Sequence, residues 1–418
     1  MNVHSACSYD RKAMVSSQRG LSLIELMIAM GIGVVLLLGL VQIFGATRAA
    51  FNTAEGLSRV QEGGRFVAEL MRREIRMAGH LGCINESGTM GVPGAPFQPP
   101  QAFLLNHLAN PATTLANAPF AFRLDVPVQG FEFTASATGP NDAYTLGAPA
   151  IAGAGAFTPP LPAQLGAVTA EAIAGSDILV LRYLSPDSIG LGPNGAAAGV
   201  VQVDPAVANF IQAGLVYGLT NCSTVSLFQA RTAPDATTGV FNAGFGGLNI
   251  AVSGDGTGWD GRENYGLGSV PAIHRYVMSV YYVGIDAGGE PALFRRTVNP
   301  AIAAPHIAPR EAVVEGVESM QLVFGADNSA FMDDQADIYQ TAGAVSGNAA
   351  LGANLEERWR RVVNVRVGLL VRSPQPASDA SQADRTVRVA DTVITLPQDG
   401  RVRQAYEALV VSRNRVKN

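Results

Sequence analysis

The sequence predicts an α+β protein: a long N-terminal helix, membrane-spanning in its first half, packs its second half on an antiparallel β-sheet head with long loops. Residues 21–46 form one apolar run that is long enough to span a bilayer. Apolar residues then recur at helical spacing as far as Ile75, and Pro93 is the first proline of the chain. From Asp177 onward, short runs rich in valine, isoleucine and leucine are separated by turn residues, which is typical of β-strands.

The composition predicts a loop-rich head and excludes nucleic acid as a partner. Of the 418 residues, 48% are hydrophobic and 15% are charged, which is ample material for a core. The 46 glycines and 24 prolines require many turns and loops. The formal net charge is −5, so the chain lacks the basic field that binds nucleic acid.

The N-terminal region changes abruptly from polar to apolar. Residues 1–20 are polar, whereas residues 21–46 contain one charged residue, Glu25, and one amide, Gln42. At about 1.5 Å per residue, this run crosses a hydrocarbon layer of roughly 30 Å. It differs from an ordinary secretory signal because the apolar run is too long and no A-x-A-like site follows it.

Glu25 is the unusual residue of this span. A carboxylate within an apolar helix costs about 2–3 kcal/mol on insertion scales, so such groups usually have a partner. Two interpretations remain open from the residues alone. The carboxylate reaches water near the headgroups, or it awaits a positive charge that processing or another subunit supplies.

The helix is expected to continue past the membrane over residues 47–78, and the β-rich head is expected to occupy residues 79–418. The apolar stripe of the continuation consists of Leu57, Val60, Val67, Leu70, Met71 and Ile75. The clearest strand candidates are residues 177–184, Ala272–Ile285, residues 292–298, 361–372 and 386–396, and Arg403–Val411. Residues 286–289 are predicted to form a hairpin turn, and Val363, Val365, Val367, Leu369 and Val371 are predicted to share one face of their strand.

The chain contains three cysteines, Cys7, Cys83 and Cys222. If residues 1–20 are removed, one pair remains. An exported chain with two cysteines suggests a disulfide, because an oxidising compartment permits it. Two buried free thiols are the alternative.

No catalytic constellation is predicted. The five histidines are scattered, without the paired spacing of a metal site, and neither a nucleophile elbow nor a phosphate loop occurs. Asp327, Asp333 and Asp337 place several oxygens in a short stretch, which is a weak calcium candidate, although a solvated acidic loop is preferred. The glycine-rich stretch at 254–260 is predicted to be an exposed turn. We therefore expect neither an enzyme nor a bound cofactor.

The string RGLSLIELMIA at residues 19–29 resembles the prepilin signature. The resemblance implies that a prepilin peptidase cuts after Gly20 and that Leu21 becomes the N-methylated first residue. It also implies that Glu25 pairs with the N-terminal amine of a neighbouring subunit, which offsets a carboxylate that lipid would leave unpaired. Leucine stands where phenylalanine or methionine is commoner, and a start at Met14 would give a leader of more usual length.

The same resemblance orients the chain and divides it into segments. Basic residues on the two sides of the span are balanced, so the positive-inside count does not decide the orientation. A prepilin would have residues 1–20 as its leader and residues 21–46 as its transmembrane and filament-core helix. The resemblance implies a single-pass inner-membrane protein with its head in the periplasm before assembly, and a place in the pilus at the cell surface afterwards.

The head resembles PilW-type minor pilins in blocks that follow one another along nearly the whole chain. These blocks are MAGHLGC at 77–83, GSDILVLRYL at 175–184, VEGVESMQLVFGAD at 314–327, WRRVVNVRVGLLVRS at 359–373 and VVSRNR at 410–415. The resemblance implies a minor pilin that helps prime type IV pilus assembly near the tip, and a Cys83–Cys222 pair fits that family. The implied partners are other minor pilins, the major pilin, the inner-membrane assembly platform and a tip adhesin.

Two other classes share part of this pattern. A minor pseudopilin of a type II secretion system has the same N-terminal signature and a related α+β head, but the head blocks favour the pilus. An envelope enzyme or binding protein with a pilin-like anchor is the remaining alternative, which the lack of a catalytic constellation disfavours.

Overall fold

The computed structural model divides the chain into two compact units, Met1–Asn52 and Thr53–Asn418. The described residues are 22–82, 104–106, 120, 123–124, 126–134, 143–197, 199–220, 225–244, 249, 271–299, 306–330, 332–376 and 385–412.

A single α-helix, α1, runs from Leu23 to Met77, which confirms the predicted long helix. Its glycines do not interrupt it, since a helical glycine costs only up to about 1 kcal/mol relative to alanine. Gly79 follows with a φ of 75°, the left-handed conformation that commonly ends a helix. Arg76 lies in the last turn, where the helix dipole favours a positive charge.

The larger sheet contains twelve strands among the described residues. They are β1 Leu104–Asn106, β2 Val128–Phe133, β4 Phe157–Thr158, β5 Ile178–Ala197, β6 Val200–Val203, β7 Val216–Thr220, β8 Val225–Gln229, β9 Val240–Asn242, β10 Ala272–Ile285, β11 Pro291–Asn299, β12 His306–Ile307 and β13 Glu311–Glu315. Seven of them follow the order β1-β8-β7-β10-β5-β2-β4, and β6, β9, β11, β12 and β13 are joined beside this path. The pairing is antiparallel except between β1 and β8.

A second, fully antiparallel sheet has the order β15-β14-β16-β19. Its strands are β14 Val317–Ala326, β15 Ile338–Gln340, β16 Val362–Arg372 and β19 Arg403–Val411. A third sheet joins β3 Ala143–Thr145, β17 Thr386–Val389 and β18 Thr392–Thr395. The described residues also form three short α-helices, which are α2 Gly166–Thr169, α3 Ala342–Gly347 and α4 Leu355–Arg360.

The hairpin between β10 and β11 confirms a local prediction and shows its cause. The Asp286 carboxylate accepts the backbone N–H groups of Gly288 and Glu290, each at 2.8 Å. Gly289 supplies the positive φ, 83°, that the turn requires. The predicted strands 361–372 and Arg403–Val411 are also confirmed, as β16 and β19.

The prediction of one strand over residues 386–396 is wrong. The segment is a hairpin, β17 and β18, that turns at Ala390 with a φ of 50°. The backbone N–H of Ala390 donates to the Glu407 carboxylate at 2.9 Å, which holds the turn in place. No glycine or proline marks this turn, so the pattern reads as continuous.

The main core lies between the second half of α1 and the sheets. Val365, Val367, Leu369 and Val371 of β16 lie together in this core as predicted. Val363 was predicted on the same face, but a register shift at the start of β16 places Val362 in the core instead. The opposite face of that strand is covered as well, since Leu370 packs in a small cluster with Val389 and Ile394 of the hairpin. The head is therefore an α+β structure in which a helix covers one sheet face.

Candidate assembly site

The first half of α1 carries an exposed apolar surface. The most apolar stretch of 18 consecutive residues in α1 has a mean hydropathy of 2.6, and none of these residues is buried. The exposed fraction of the side chain is 76% at Leu23, 68% at Leu36 and 68% at Phe44. By length and composition this helix is able to cross a membrane. Contiguous apolar surface of this extent requires lipid or protein partners.

Glu25 closes the first turn of this helix. The backbone N–H of Ser22 donates to Oε2 of Glu25 at 3.4 Å. The carboxylate at the third helical position thus satisfies a free N–H group at the helix start, which is one of the two hydrogen bonds of a capping box. The positive end of the helix dipole also favours a carboxylate here. This cap was not predicted from the sequence, although its spacing is a recognised helix-start signal.

Several predicted site residues lie outside the described residues. Gly20 and Leu21 precede them, and Cys83 and Cys222 fall in two of the gaps, as does the stretch 254–260. Gly82 and Thr220, which lie near the two cysteines in sequence, are close to each other. A side chain added at Gly82 would lie 2.5 Å from Cγ2 of Thr220.

The second half of α1 packs on the head through a stripe that includes two glycines. The buried residues of α1 are Gly56, Val60, Gly64, Val67, Ala68, Met71, Glu74 and Ile75. Gly64 lets the ring of Tyr406 on β19 approach the helix backbone, because any side chain at this position would overlap the ring. Leu57 was predicted on this stripe and is 40% exposed, so that prediction is wrong. At Gly64 the stripe passes through a glycine, because the Tyr406 ring occupies the place of a side chain.

Glu74 is a buried carboxylate within the stripe by which α1 packs on the head. The Tyr183 hydroxyl donates to Oε2 of Glu74 at 3.3 Å, and a guanidinium nitrogen of Arg295 lies 3.8 Å from Oε1. Burial and the neighbouring Glu74 charge raise the pKa of Tyr183 to about 12, so the phenol remains a hydrogen-bond donor at physiological pH. The helix is thereby joined by polar contacts to both β5 and β11.

The loop after α1 is hydrogen-bonded along β5. The N–H of Gly79 donates to the Arg182 carbonyl at 3.0 Å, and the N–H of Leu184 donates to the His80 carbonyl at 2.8 Å. The His80 ring lies 6.0 Å from the His274 ring, centroid to centroid. The Nδ1 of each histidine donates to a carbonyl of β5, so His80 joins the loop to β5 and His274 joins β10 to β5. The sequence did not predict that these two histidines meet.

A buried ion network anchors the end of β19. The Arg403 guanidinium donates to Glu318 and to Asp399, each at 2.6 Å, and Arg372 donates to the same Glu318 at 2.7 Å. Arg372 also pairs with Glu290 of the β10–β11 turn. The hydrogen bond from Arg403 lowers the pKa of Asp399 to about 2. Three strands and a turn are therefore linked through ion pairs.

The acidic loop after β14 is organised by its own backbone. The buried Asp327 carboxylate accepts N–H groups from Ser329 at 2.9 Å, Asp333 at 2.7 Å and Asp334 at 3.0 Å. The Asp337 carboxylate accepts the N–H of Asn328 at 2.8 Å. Within the ranges that the structure describes, no group of three or more histidine, cysteine or acidic residues is arranged to hold a metal. The calcium candidate stays a prediction.

Two known families match parts of the chain. Residues 15–41 match the prokaryotic N-terminal methylation motif, a range that includes Ser22, Glu25 and the first part of α1. Residues 280–414, less than half of the chain, match the type IV pilus-assembly protein W family, PilW. The last three sequence blocks that resemble PilW overlap this region, whereas the first two precede it. No curated protein and no solved structure matches the chain significantly.

The long apolar helix, its β-rich head and the methylation motif define a type IV pilus-related pilin. Within that class, the C-terminal strands from residue 280 to residue 414 match PilW. The methylation motif is the feature that a prepilin peptidase recognises, and it fits a membrane-anchored pilin that interacts with other pilus components. Pilin families of this kind are structural.

Proposed function

We propose that this chain is a minor pilin that helps prime type IV pilus assembly and lies in or near the pilus tip. The observation that carries the proposal is the combination of two matched regions on one chain, the methylation motif at 15–41 and the PilW region at 280–414. The chain would begin as a single-pass inner-membrane protein with its head in the periplasm, and would enter the pilus after removal of residues 1–20.

Assembly would proceed through the first half of α1. A prepilin peptidase cuts after Gly20 and leaves Leu21 as an N-methylated terminus. The apolar side chains then pass from lipid into the filament core, where helices of other subunits replace the acyl chains at little cost. The capped carboxylate of Glu25 is held at the helix start, where the ammonium of a neighbouring subunit can reach it.

The second half of α1 would fix the head to this helix during assembly. Val60, Val67, Met71 and Ile75 are buried against the sheets, and Glu74 is hydrogen-bonded to Tyr183. Because the head is bound to the helix along this length, the strands of the head would follow the helix into its place in the filament. The head then presents its lateral surfaces to the other minor pilins, the major pilin or a tip adhesin.

A disulfide between Cys83 and Cys222 is part of the proposal. Gly82 packs against Thr220, so the two chain segments that lead to the cysteines are neighbours. In the chain-entropy model a loop this long gains roughly 4–5 kcal/mol from closure. The bond would hold the end of α1 against the large sheet while the subunit is drawn from the membrane.

A type II secretion pseudopilin would share the N-terminal mechanism. The PilW match over the C-terminal strands supports the pilus instead. To discriminate between the two functions, the gene for this chain is deleted and surface pili are counted. An epitope-tagged version of the chain is then labelled on sheared filaments. The proposal predicts few pili without the chain and label at filament ends. Normal piliation together with a defect in protein secretion would replace it with the pseudopilin function.

A further inference from the structure

The last strand of the head, β19, is an open edge of its sheet. It pairs with β16 on one side, and among the residues that the structure describes no strand or loop pairs with its other side. The strand has 9 residues, whereas β15 at the opposite edge has 3. A long edge strand presents a row of unpaired N–H and C=O groups to any extended segment that approaches.

The register shows which backbone groups face outward. The N–H of Ser412 donates to the Val363 carbonyl at 3.0 Å, and the pairing from Asn364↔Val411 to Arg372↔Arg403 continues without a shift. Hydrogen-bonded pairs alternate in an antiparallel ladder. The even-numbered residues of β19 therefore bond to β16. The outward N–H and C=O groups belong to Ala405, Glu407, Leu409 and Val411.

This edge lacks the features that usually protect an edge strand. It contains no proline, no lysine and no bulge. Its two charged side chains are engaged within the head: Arg403 binds Glu318 and Asp399, and Glu407 accepts the N–H of Ala390. Leu409 and Val411 are 55% and 44% exposed, although they are large apolar residues.

We propose that β19 is an assembly edge to which a neighbouring pilus subunit adds one extended strand. Main-chain hydrogen bonds to Ala405, Glu407, Leu409 and Val411 would give the affinity in this mode of recognition, and alternate side chains would give the specificity. The added strand would place apolar side chains beside Leu409 and Val411 and a basic or neutral one beside Glu407. This inference rests on the proposed pilus function.

Charge argues that the added strand comes from a different protein. If two copies of β19 paired antiparallel over their full length, residues 403 and 411 would face each other and Glu407 would lie opposite its own copy. Like charges directly opposite in a ladder are destabilising. A different subunit with a basic or neutral residue at that point avoids the repulsion.

Residue-resolved hydrogen exchange tests the inference even while the partner subunit is unidentified. The tagged full-length chain would be measured in detergent and in sheared pili. We expect the amides of Ala405, Glu407, Leu409 and Val411 to exchange about tenfold or more slowly in pili, because each gains a main-chain hydrogen bond. The amides of Tyr406 and Ala408 already bond to β16 and would change little. Equal exchange of the outward amides in both samples would overturn the inference.

A pair of variants gives a second test. Leu409→Lys places a charge on the edge and leaves the ladder with β16 intact, and Val200→Lys makes the same change at a residue of β6 that is 43% exposed. We expect Leu409→Lys to lower the chain's content in sheared pili about tenfold or more, with an unchanged melting temperature, and Val200→Lys to have no effect. Equal content of both variants contradicts the open-edge inference alone. Absence of the wild-type chain from pili contradicts the proposed function and the inference together.

Discussion

The ring of Tyr406 on β19 lies against the backbone of Gly64 on α1, in the space that a side chain at position 64 would occupy. Tyr406 also packs against the main core, to which Val60, Met71 and Val410 belong. The absence of one side chain thus sets the distance between the helix and the edge of the sheet.

We expect Gly64→Ala to destabilise the head by about 1–3 kcal/mol, because the added methyl group forces the Tyr406 ring to move. Gly63→Ala is the matched control. A side chain at position 63 would meet Val314 at an ordinary distance of 3.6 Å. The control should be neutral or stabilising by up to about 1 kcal/mol, the helix-propensity gain. Thermal unfolding of the solubilised chain measures the stability of both variants. Equal changes in stability would mean that the Tyr406 ring can move aside for a side chain at position 64.

The stability of the head should depend on pH through Asp399. Its folded pKa, about 2, lies below the ordinary 3.8 because Arg403 donates to the carboxylate. A lowered folded pKa gives stability that is complete above the ordinary value and is lost as the pH falls toward about 2.

Because Asp399 is partly exposed, solvent screening reduces the contribution to about 1 kcal/mol. Asp399→Asn should therefore be less stable than wild type at neutral pH, and the difference should shrink as the pH falls from 3.8 toward about 2. Unfolding of both chains across this range checks the expectation. A difference that is constant with pH would show that the ion pair does not contribute.

Strong periodic patterns were predictable from the sequence. The helix from Leu23 to Met77 has no proline and a clear apolar stripe. The strand at Arg403–Val411 and the hairpin around Asp286 also follow local rules, because alternation and turn residues act over a few positions.

Contacts between distant segments were not predictable in this way. The meeting of His80 and His274 depends on the path of β5 and β10, which no local spacing encodes. The turn at Ala390 is fixed by a hydrogen bond to Glu407 rather than by its own residues. Leu57 shows the same limit, since the buried stripe of the helix includes Gly56 and Gly64, which a hydrophobic count ignores.

Glu25→Ala should insert into the membrane and be processed normally, but should enter filaments poorly. The capping contact with Ser22 is lost, and so is the carboxylate that would pair with a neighbouring ammonium. Gln42→Ala, which removes the other polar side chain of the apolar run, is the control and should assemble as wild type. Immunoblots of membrane and sheared pilus fractions measure the distribution. Normal incorporation of Glu25→Ala would remove the pairing argument.

The Asp327 carboxylate is expected to stabilise the folded head without bound calcium. Its carboxylate already accepts three backbone N–H groups, so Asp327→Asn would turn an amide donor toward at least one of them. We expect a loss of about 1–3 kcal/mol. Millimolar calcium should leave the melting temperature of the wild-type chain unchanged. A calcium-dependent rise that disappears in Asp337→Asn would establish a calcium site in this loop.

The intact mass of the chain in sheared pili, before and after reduction, tests the pilin account most directly. The account predicts a chain that begins at N-methylated Leu21, with a mass that rises by two hydrogens when the Cys83–Cys222 bond is reduced. A chain in wild-type cells that still begins at Met1 or Met14 would contradict it, because the apolar helix would then keep its leader and Leu21 would not be an N-methylated terminus.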